Sequence, residues 1–316
     1  MGPPADEVVH DAVVVGGGPA GLSAATWLAR YRYAVVVLDS DEQRNRWVEQ
    51  AHGYLGHDPV SPAALLQRAR EQLRVYPEVM IRQCRVDGGS RQRDGTFVLE
   101  AEGEAIRTRR LVVATGVRDR FPEVEGFFEH YGASVFHCPT CDGYEARDAD
   151  VVVFGWNADV ADFALTLAGW ARSVTVVTDG RPFEGEDEHR ARLAERQVEV
   201  MEDEATGLVG ERGRLQGVRL ATGDVLECQL AFFSIAHEPV NELARELGCE
   251  LTTEGCIQVD DEGATTVAGV YAAGDVTPGL QLLQVAAAKG TVAGVACARS
   301  LRGEGGIREG WEGHLG

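Results

Sequence analysis

Cys138 and Cys141 are the only two of the chain's seven cysteines set at CxxC spacing, with Pro139-Thr140 between them. Two thiols so placed close a small ring that opens and closes reversibly, which is the chemistry of thiol–disulfide exchange. Asp142-Gly143 follows directly and is by itself a strong turn signal. His137 precedes the pair, where an imidazole either lowers a thiol pKa or simply ends a strand. A zinc site needs a second cysteine pair or histidines at metal spacing, and neither is present, so no metal is expected. Cys84, Cys228, Cys249, Cys256 and Cys297 are expected to be small buried residues.

A dithiol of this kind needs an electron partner, and the glycine-rich segments supply one. Val13-Val14-Val15 leads into Gly16-Gly17-Gly18-Pro19-Ala20-Gly21, then a small-residue helical run from Leu22 to Ala29, then Ala34 to Leu38 ending in Asp39. The order is strand, glycine turn, helix, strand and acid. Gly16 permits the tight turn, Gly18 lets backbone approach a pyrophosphate, Gly21 lets the helix pack close to the strand, and Asp39 accepts from ribose hydroxyls. The segment predicts a dinucleotide site. A second copy runs from Val151-Val152-Val153-Phe154-Gly155 through Trp156-Asn157-Ala158-Asp159-Val160 to Ser173-Val174-Thr175-Val176-Val177-Thr178-Asp179. Its hydrophobic rhythm matches the first, but Asn157 stands where backbone must meet pyrophosphate and Val160 stands where the helix needs a small residue. Trp156 is read either as a packing aromatic or as a cap over the vacant turn.

Two further glycine turns complete the pattern. Arg110-Leu111-Val112-Val113-Ala114-Thr115-Gly116 reads as a short buried strand, and Gly269 to Gly274-Asp275 reads as another that ends in an acid. With these motifs in this order, nearly the whole chain resembles the low-molecular-weight thioredoxin reductases. The resemblance implies an α/β fold of two Rossmann-like domains, the second inserted in the first, with FAD held by Gly16, Gly18, Pro19, Ala20, Gly21 and Asp39. It places Thr115, Gly116, Gly274 and Asp275 at the flavin as well, and Gln284-Val285 at the family's Gln-Ala beside the ring. It makes Cys141 the flavin-proximal sulfur, Cys138 the interchange sulfur that forms the mixed disulfide, and Asp142 the proton shuttle, with a plain turn residue as the alternative for Asp142.

The chain departs from that family in two places. The family's NADPH domain carries a basic HRRxxxR that grips the 2′-phosphate, whereas this chain has Thr178-Asp179-Gly180 and then Glu184, and an acid there repels phosphate. The stretch Arg44-Asn45-Arg46-Trp47 through His52-Gly53-Tyr54-Leu55-Gly56-His57-Asp58 resembles the gliotoxin- and holomycin-type dithiol oxidases, FAD enzymes of the same fold that dispense with NADPH. It also brings His52 and His57, either of which is a possible proton acceptor near a flavin.

Composition agrees. The 316 residues leave room for two domains, and 44% apolar residues can fill two cores. A net charge of −20 disfavours nucleic acid and anionic membranes as partners. No apolar run suits a bilayer and the polar Met1 to Asp11 has no signal character, so a cytoplasmic protein is expected. Residues 1–117 and 241–316 are expected to form the FAD-binding domain, interrupted by a degenerate NAD(P)-binding-like domain at 118–240, with Pro122 and Pro239 near the crossings. Residues 79–110 are expected to form an antiparallel meander with turns at Gly88-Gly89 and Asp94-Gly95. Trp311, in the glycine- and charge-rich tail from Gly303, is expected to lie loose or to tuck onto the body or a second subunit.

The expected activity is oxidation of a dithiol to a disulfide through the cysteine pair and FAD, with oxygen as acceptor and no nicotinamide. The partner is a small-molecule dithiol or a small redox protein, and the active form a homodimer. The alternatives are a reductase of the thioredoxin reductase type fed by NADH, NADPH or a ferredoxin-like donor, and a flavin-bound redox sensor.

Overall fold

The computed structural model describes residues 8–304, so Trp311 and the rest of the tail lie outside the described residues. The described residues divide into two compact units, one of residues 8–46, 63–118 and 238–304, the other of 47–62 and 119–237.

In the first unit, β1 (Val9–Val15), the helix Pro19–Arg30 and β2 (Val35–Asp39) form the βαβ expected around Gly16, followed by β3 (Val79–Gln83), β4 (Val86–Arg91), β5 (Phe97–Ala101) and β6 (Glu104–Val113). Every residue of β2 is buried, as is the end of β1 from Ala12, because these strands are covered on both faces. The parallel order is β3-β2-β1-β6, and the outer edge of β6 continues antiparallel through β5 to β4. The meander therefore holds for β4 to β6, while β3 belongs to the parallel part. Its turns fall at Asp94-Gly95 and at Glu102-Gly103, where Glu102, Gly95 and Gly103 take positive φ. Gly88-Gly89 is no turn. Both lie inside β4, where a Cβ on Gly89 would meet Leu243 and Leu99 at 2.8 Å, so small residues there serve packing.

The chain leaves the first unit through β7 (Val117–Arg120). In the second unit β8 (Val135–Phe136), β9 (Asp150–Phe154), β10 (Ser173–Val177), β11 (Glu199–Met201) and β15 (Leu230–Phe233) make an all-parallel sheet in the order β11-β10-β9-β15-β8. The helix Asp159–Leu167 joins β9 to β10, so the second glycine segment is a true βαβ. β12 (Ala205–Glu211), β13 (Arg214–Leu220) and β14 (Val225–Glu227) add an antiparallel sheet. The chain returns through β16 (Ala236–Pro239) to β17 (Val270–Ala272), which pairs in parallel with residues 111–113 of β6. The helix Leu283–Leu301 closes the first unit.

The expectation that residues 1–117 stay together needs one amendment, since 47–62 pack with the second unit. Trp47 stacks 5.2 Å from Phe128, and Arg212 Nε donates to Glu49 at 2.7 Å. A Cβ on Gly132 would fall 2.0 Å from the Trp47 carbonyl oxygen, and Gly132 has a φ of +79° that only glycine adopts easily. Among the described residues no helix is long and apolar enough to cross a membrane.

Candidate active site

The first glycine turn has the shape that a dinucleotide requires. Gly16 has a φ of +110°, and a Cβ there would lie 2.2 Å from the Ala114 carbonyl oxygen. On Gly21 it would lie 1.8 Å from the Gly16 carbonyl oxygen, so both glycines are fixed by the fold itself. Gly18 differs: a Cβ on it would meet nothing within 4 Å among the described residues. Its backbone faces open space at the start of the helix Pro19–Arg30, where none of the described side chains caps the first turn. An uncapped helix N-terminus behind bare glycine backbone suits a pyrophosphate, and the residues fit FAD on that observation. Asp39 ends β2 with 6% exposure, and its carboxylate abuts Gly17. It accepts from Asp41 N at 3.1 Å, Gln43 Nε2 at 3.2 Å and Arg70 at 2.7 Å, so it is already oriented.

The other residues expected at the cofactor fall into two groups. Gly274, with a φ of +83°, touches the glycine turn directly: a Cβ on it would meet Ala20 Cβ at 2.8 Å. Asp275 follows, half-buried, and Lys289 is close enough to feel its charge while donating to Thr277 Oγ1 at 3.1 Å and the Pro278 carbonyl at 2.7 Å. Gln284 and Val285 sit in the first turn of the helix Leu283–Leu301. Thr115 and Gly116 instead grip the returning chain, since Thr115 Oγ1 donates to the Val240 carbonyl and Val240 N donates to Gly116 O at 2.9 Å. Sequence reasoning missed Arg70, Lys289 and the glycines of the last helix; none carries a motif, and their partners lie far away in sequence.

In the second unit Cys138 and Cys141 are joined by a disulfide, with Cα atoms 5.2 Å apart. Pro139 opens a single helical turn, Pro139–Asp142, in which Cys141 N donates to Cys138 Sγ at 3.1 Å. Asp142 ends the helical turn and Gly143 opens the turns of residues 143–148, as the dipeptide suggested. Gly143 keeps helical φ/ψ, and a Cβ there would strike the Pro139 carbonyl oxygen at 2.4 Å and the Trp170 ring at 2.7 Å. The Asp142 side chain is buried, 6% exposed, and burial pushes its carboxyl up to about 7, with the charge of Glu145 adding to the rise and that of His52 opposing it. His52 Nε2 lies 3.7 Å from Glu145 Oε1 on the segment that follows the dithiol. His57 is exposed against Tyr54, and His137 turns its Nδ1 to the Tyr131 hydroxyl at 3.1 Å inside an aromatic cluster. Of the remaining cysteines, Cys84, Cys228, Cys249 and Cys297 are buried and Cys256 is half-buried. Among the described residues no cluster of metal-ligating side chains exists.

The second glycine turn is closed by its own side chains. Asn157 Oδ1 accepts from Val160 N at 3.2 Å, taking up an N–H at the start of the helix, and its Nδ2 donates to the Ile235 carbonyl at 3.3 Å. Val160 is wholly buried, with its Cγ2 only 2.7 Å from where a Cβ on Gly155 would be. The Arg181 guanidinium stacks 3.9 Å from the centre of the half-buried Trp156 ring. Asp179 carries a φ of +57° and accepts from Ala205 N at 3.2 Å, and Asp159 and Asp162 load the first helical turn with negative charge. These residues do not fit a nicotinamide dinucleotide: Asn157 takes up the Val160 N–H, a buried valine stands where a small residue is needed, and the first helical turn carries charge of the wrong sign.

A bare glycine turn in one unit and a buried acid beside a CxxC disulfide in the other define a flavin-dependent disulfide oxidoreductase. The chain belongs to the pyridine nucleotide-disulphide oxidoreductase family, whose sequence profile matches residues 10–290, and it is a thioredoxin reductase-like enzyme that binds FAD. It is 30% identical to a thioredoxin reductase of Mycolicibacterium smegmatis over 94% of this chain and 96% of the relative. It is 32% identical to the thioredoxin reductase tcpT of Claviceps purpurea, over 90% of this chain and 92% of that protein. The crystal structure of HlmI superposes with a TM-score of 0.88 at 35% identity, covering 96% of this chain and 95% of that one.

Proposed function

We propose that the protein oxidises a dithiol to a disulfide with oxygen as terminal acceptor and without NADPH, one dithiol and one O₂ giving one disulfide and one H₂O₂. The observation that carries this reading is the second glycine turn, where Asn157, Val160 and the acids occupy what a nicotinamide dinucleotide would need. The resemblance of the Arg44–Asp58 stretch to the gliotoxin- and holomycin-type dithiol oxidases supports it.

On this reading Gly16, Gly18, Pro19, Ala20, Gly21, Asp39, Thr115, Gly116, Gly274, Asp275, Gln284 and Val285 form the FAD site of the first unit. Bound FAD supplies a two-electron acceptor for the reduced cysteines and a route from them to oxygen. A substrate thiolate attacks Cys138 Sγ, breaking the Cys138–Cys141 bond and leaving Cys141 as thiolate. The second substrate thiolate then displaces Cys138, so the substrate leaves as disulfide and the pair holds its two electrons. Asp142 receives a substrate thiol proton, a task suited to a carboxyl that titrates near neutrality. The partner is a small-molecule dithiol or a small redox protein, and the enzyme works as a cytoplasmic homodimer.

The test is anaerobic mixing of the yellow protein with NADPH, with NADH and with a small dithiol, following flavin absorbance. Bleaching by dithiol alone, with peroxide released when air is admitted, is the expected result. Rapid, saturable bleaching by NADPH would overturn the oxidase reading in favour of a reductase of the thioredoxin reductase type.

A further inference from the structure

Lys289 is the only lysine among the chain's 30 lysines and arginines. It lies half-buried in the helix Leu283–Leu301, and its Nζ donates to Thr277 Oγ1 at 3.1 Å and to the Pro278 carbonyl at 2.7 Å. Thr277 is 2% exposed, and its own hydroxyl donates to the Gly274 carbonyl at 2.7 Å. Both ends of this run of contacts arrive at one residue. A Cβ on Gly274 would meet Ala20 Cβ at 2.8 Å, and a Cβ on Gly290, the neighbour of Lys289, would meet the Ala20 carbonyl oxygen at 2.0 Å. Lys289, Thr277, Gly274, Ala20 and Gly290 close a ring of contacts within the first unit, and that ring passes through the glycine turn.

An ammonium suits this place. It puts three rotatable donors on one compact atom, whereas arginine spreads five over a rigid plane. Nζ lies 3.6 Å from where a Cβ on Gly279 would be, under the bend from Thr277 to Gly279, and from there one atom reaches both acceptors. Burial pushes the ammonium below the ordinary lysine range, and the charges of Asp275 and Cys256 oppose that fall. A carboxylate in a flavin site works against the charge of the pyrophosphate and against the electrons that the ring accepts, and a cation beside it offsets both. The far end of the same segment is held by a second cation, Arg44, whose Nη1 donates to Gln281 Oε1 at 2.7 Å.

We propose that Lys289 is a positioning residue of the flavin site, holding the bend 274–278 against Ala20 and balancing the charge of Asp275 toward the cofactor. This rests on the reading that puts Asp275 at the flavin. The last helix then serves the cofactor twice, through its packing glycines and through the one ammonium that it carries.

The experiment measures the dissociation constant of FAD from the apoprotein and the reduction potential of the bound flavin, by equilibration with a reference dye without oxygen. Lys289→Met removes the charge and both hydrogen bonds, and is expected to weaken FAD binding about tenfold, the worth of one charge-assisted hydrogen bond, and to move the potential to more negative values. Lys289→Arg keeps the charge and is expected to restore the potential but not all of the affinity. Asp275→Asn is expected to move the potential the other way, and in that background the shift caused by Lys289→Met is expected to be lost, since Lys289 acts through Asp275. A further measurement needs no substitution: with a single lysine in the chain, acetylation by an amine-reactive ester, read by peptide mass spectrometry, is expected to be slower at Lys289 with FAD bound than without. A wild-type potential in Lys289→Met, or equal acetylation rates in apoprotein and holoprotein, would overturn the proposal. A wild-type potential in Asp275→Asn would instead remove Asp275 from the flavin, and with it the reading on which the proposal rests.

Discussion

Replacing Asp142 with asparagine should separate what this residue contributes to stability from what it contributes to chemistry. The carboxyl rises from 3.8 to about 7 on folding, chiefly through burial, so the folded chain binds a proton that the unfolded chain releases between those values. Stability therefore falls as pH rises across that window, and the full penalty is present above the folded value. A rise of about three units at roughly 1.36 kcal/mol each makes the penalty about 4 kcal/mol at alkaline pH, an upper bound since a buried site relaxes. At about pH 5.5 the wild type already carries roughly 2 kcal/mol of it, so Asp142→Asn should gain about 2 kcal/mol on wild type between about pH 5.5 and about pH 8.5. Urea denaturation of both proteins with FAD in excess, at those two pH values, measures the gap. Dithiol-driven reduction of the cysteine pair should meanwhile fall by about 100-fold, the usual worth of a positioned acid or base. A stability gap that does not change with pH would refute the raised carboxyl, and an unchanged exchange rate would refute its role as proton carrier.

Gly18→Val should fold, because a side chain there meets only open space, yet lose at least about tenfold in flavin content by filling the pyrophosphate position. Gly21→Val should instead fail to fold, its Cβ overlapping the Gly16 carbonyl, so circular dichroism and flavin stoichiometry together distinguish a cofactor glycine from a packing one. Cys138→Ser should leave a Cys141 thiolate with a broad long-wavelength flavin absorbance, Cys141→Ser should lose that band, and turnover should vanish in both. Equal spectra would undo the assignment of roles.

What could be read in the sequence is what depends on near neighbours. The turn Gly16–Gly21, the β2 acid and the CxxC are each complete within a few residues, because the geometry that they need is local. The cluster at Asp142 is not local: His52 and Glu145 lie far apart along the chain, and only the packing of 47–62 around Trp47 and Gly132 brings them together. Arg70 on Asp39 was hidden for the same reason. Asn157 showed only as a missing glycine, and its capping of Val160 N had to be seen. Gly88-Gly89 misled because a glycine pair inside a strand looks the same in sequence whether it makes room for Leu243 and Leu99 or for a turn.

The helix Leu283–Leu301 meets the helix Pro19–Arg30 almost backbone to backbone, since side chains on Gly290 and Gly294 would overlap the carbonyl oxygens of Ala20 and Ala24 at 2.0 and 2.7 Å. The cradle behind Gly18 is therefore braced by a helix that leaves the ribosome after all of the second unit. By then residues 47–62 and 119–237 have long been outside the exit tunnel, free to form their own sheet and close their own disulfide loop. Domains fold as units during synthesis, and here the unit that begins first is finished last. Flavin capture waits on that helix, and a chain stopped before Leu283 can carry the cysteine machinery without the brace behind Gly18.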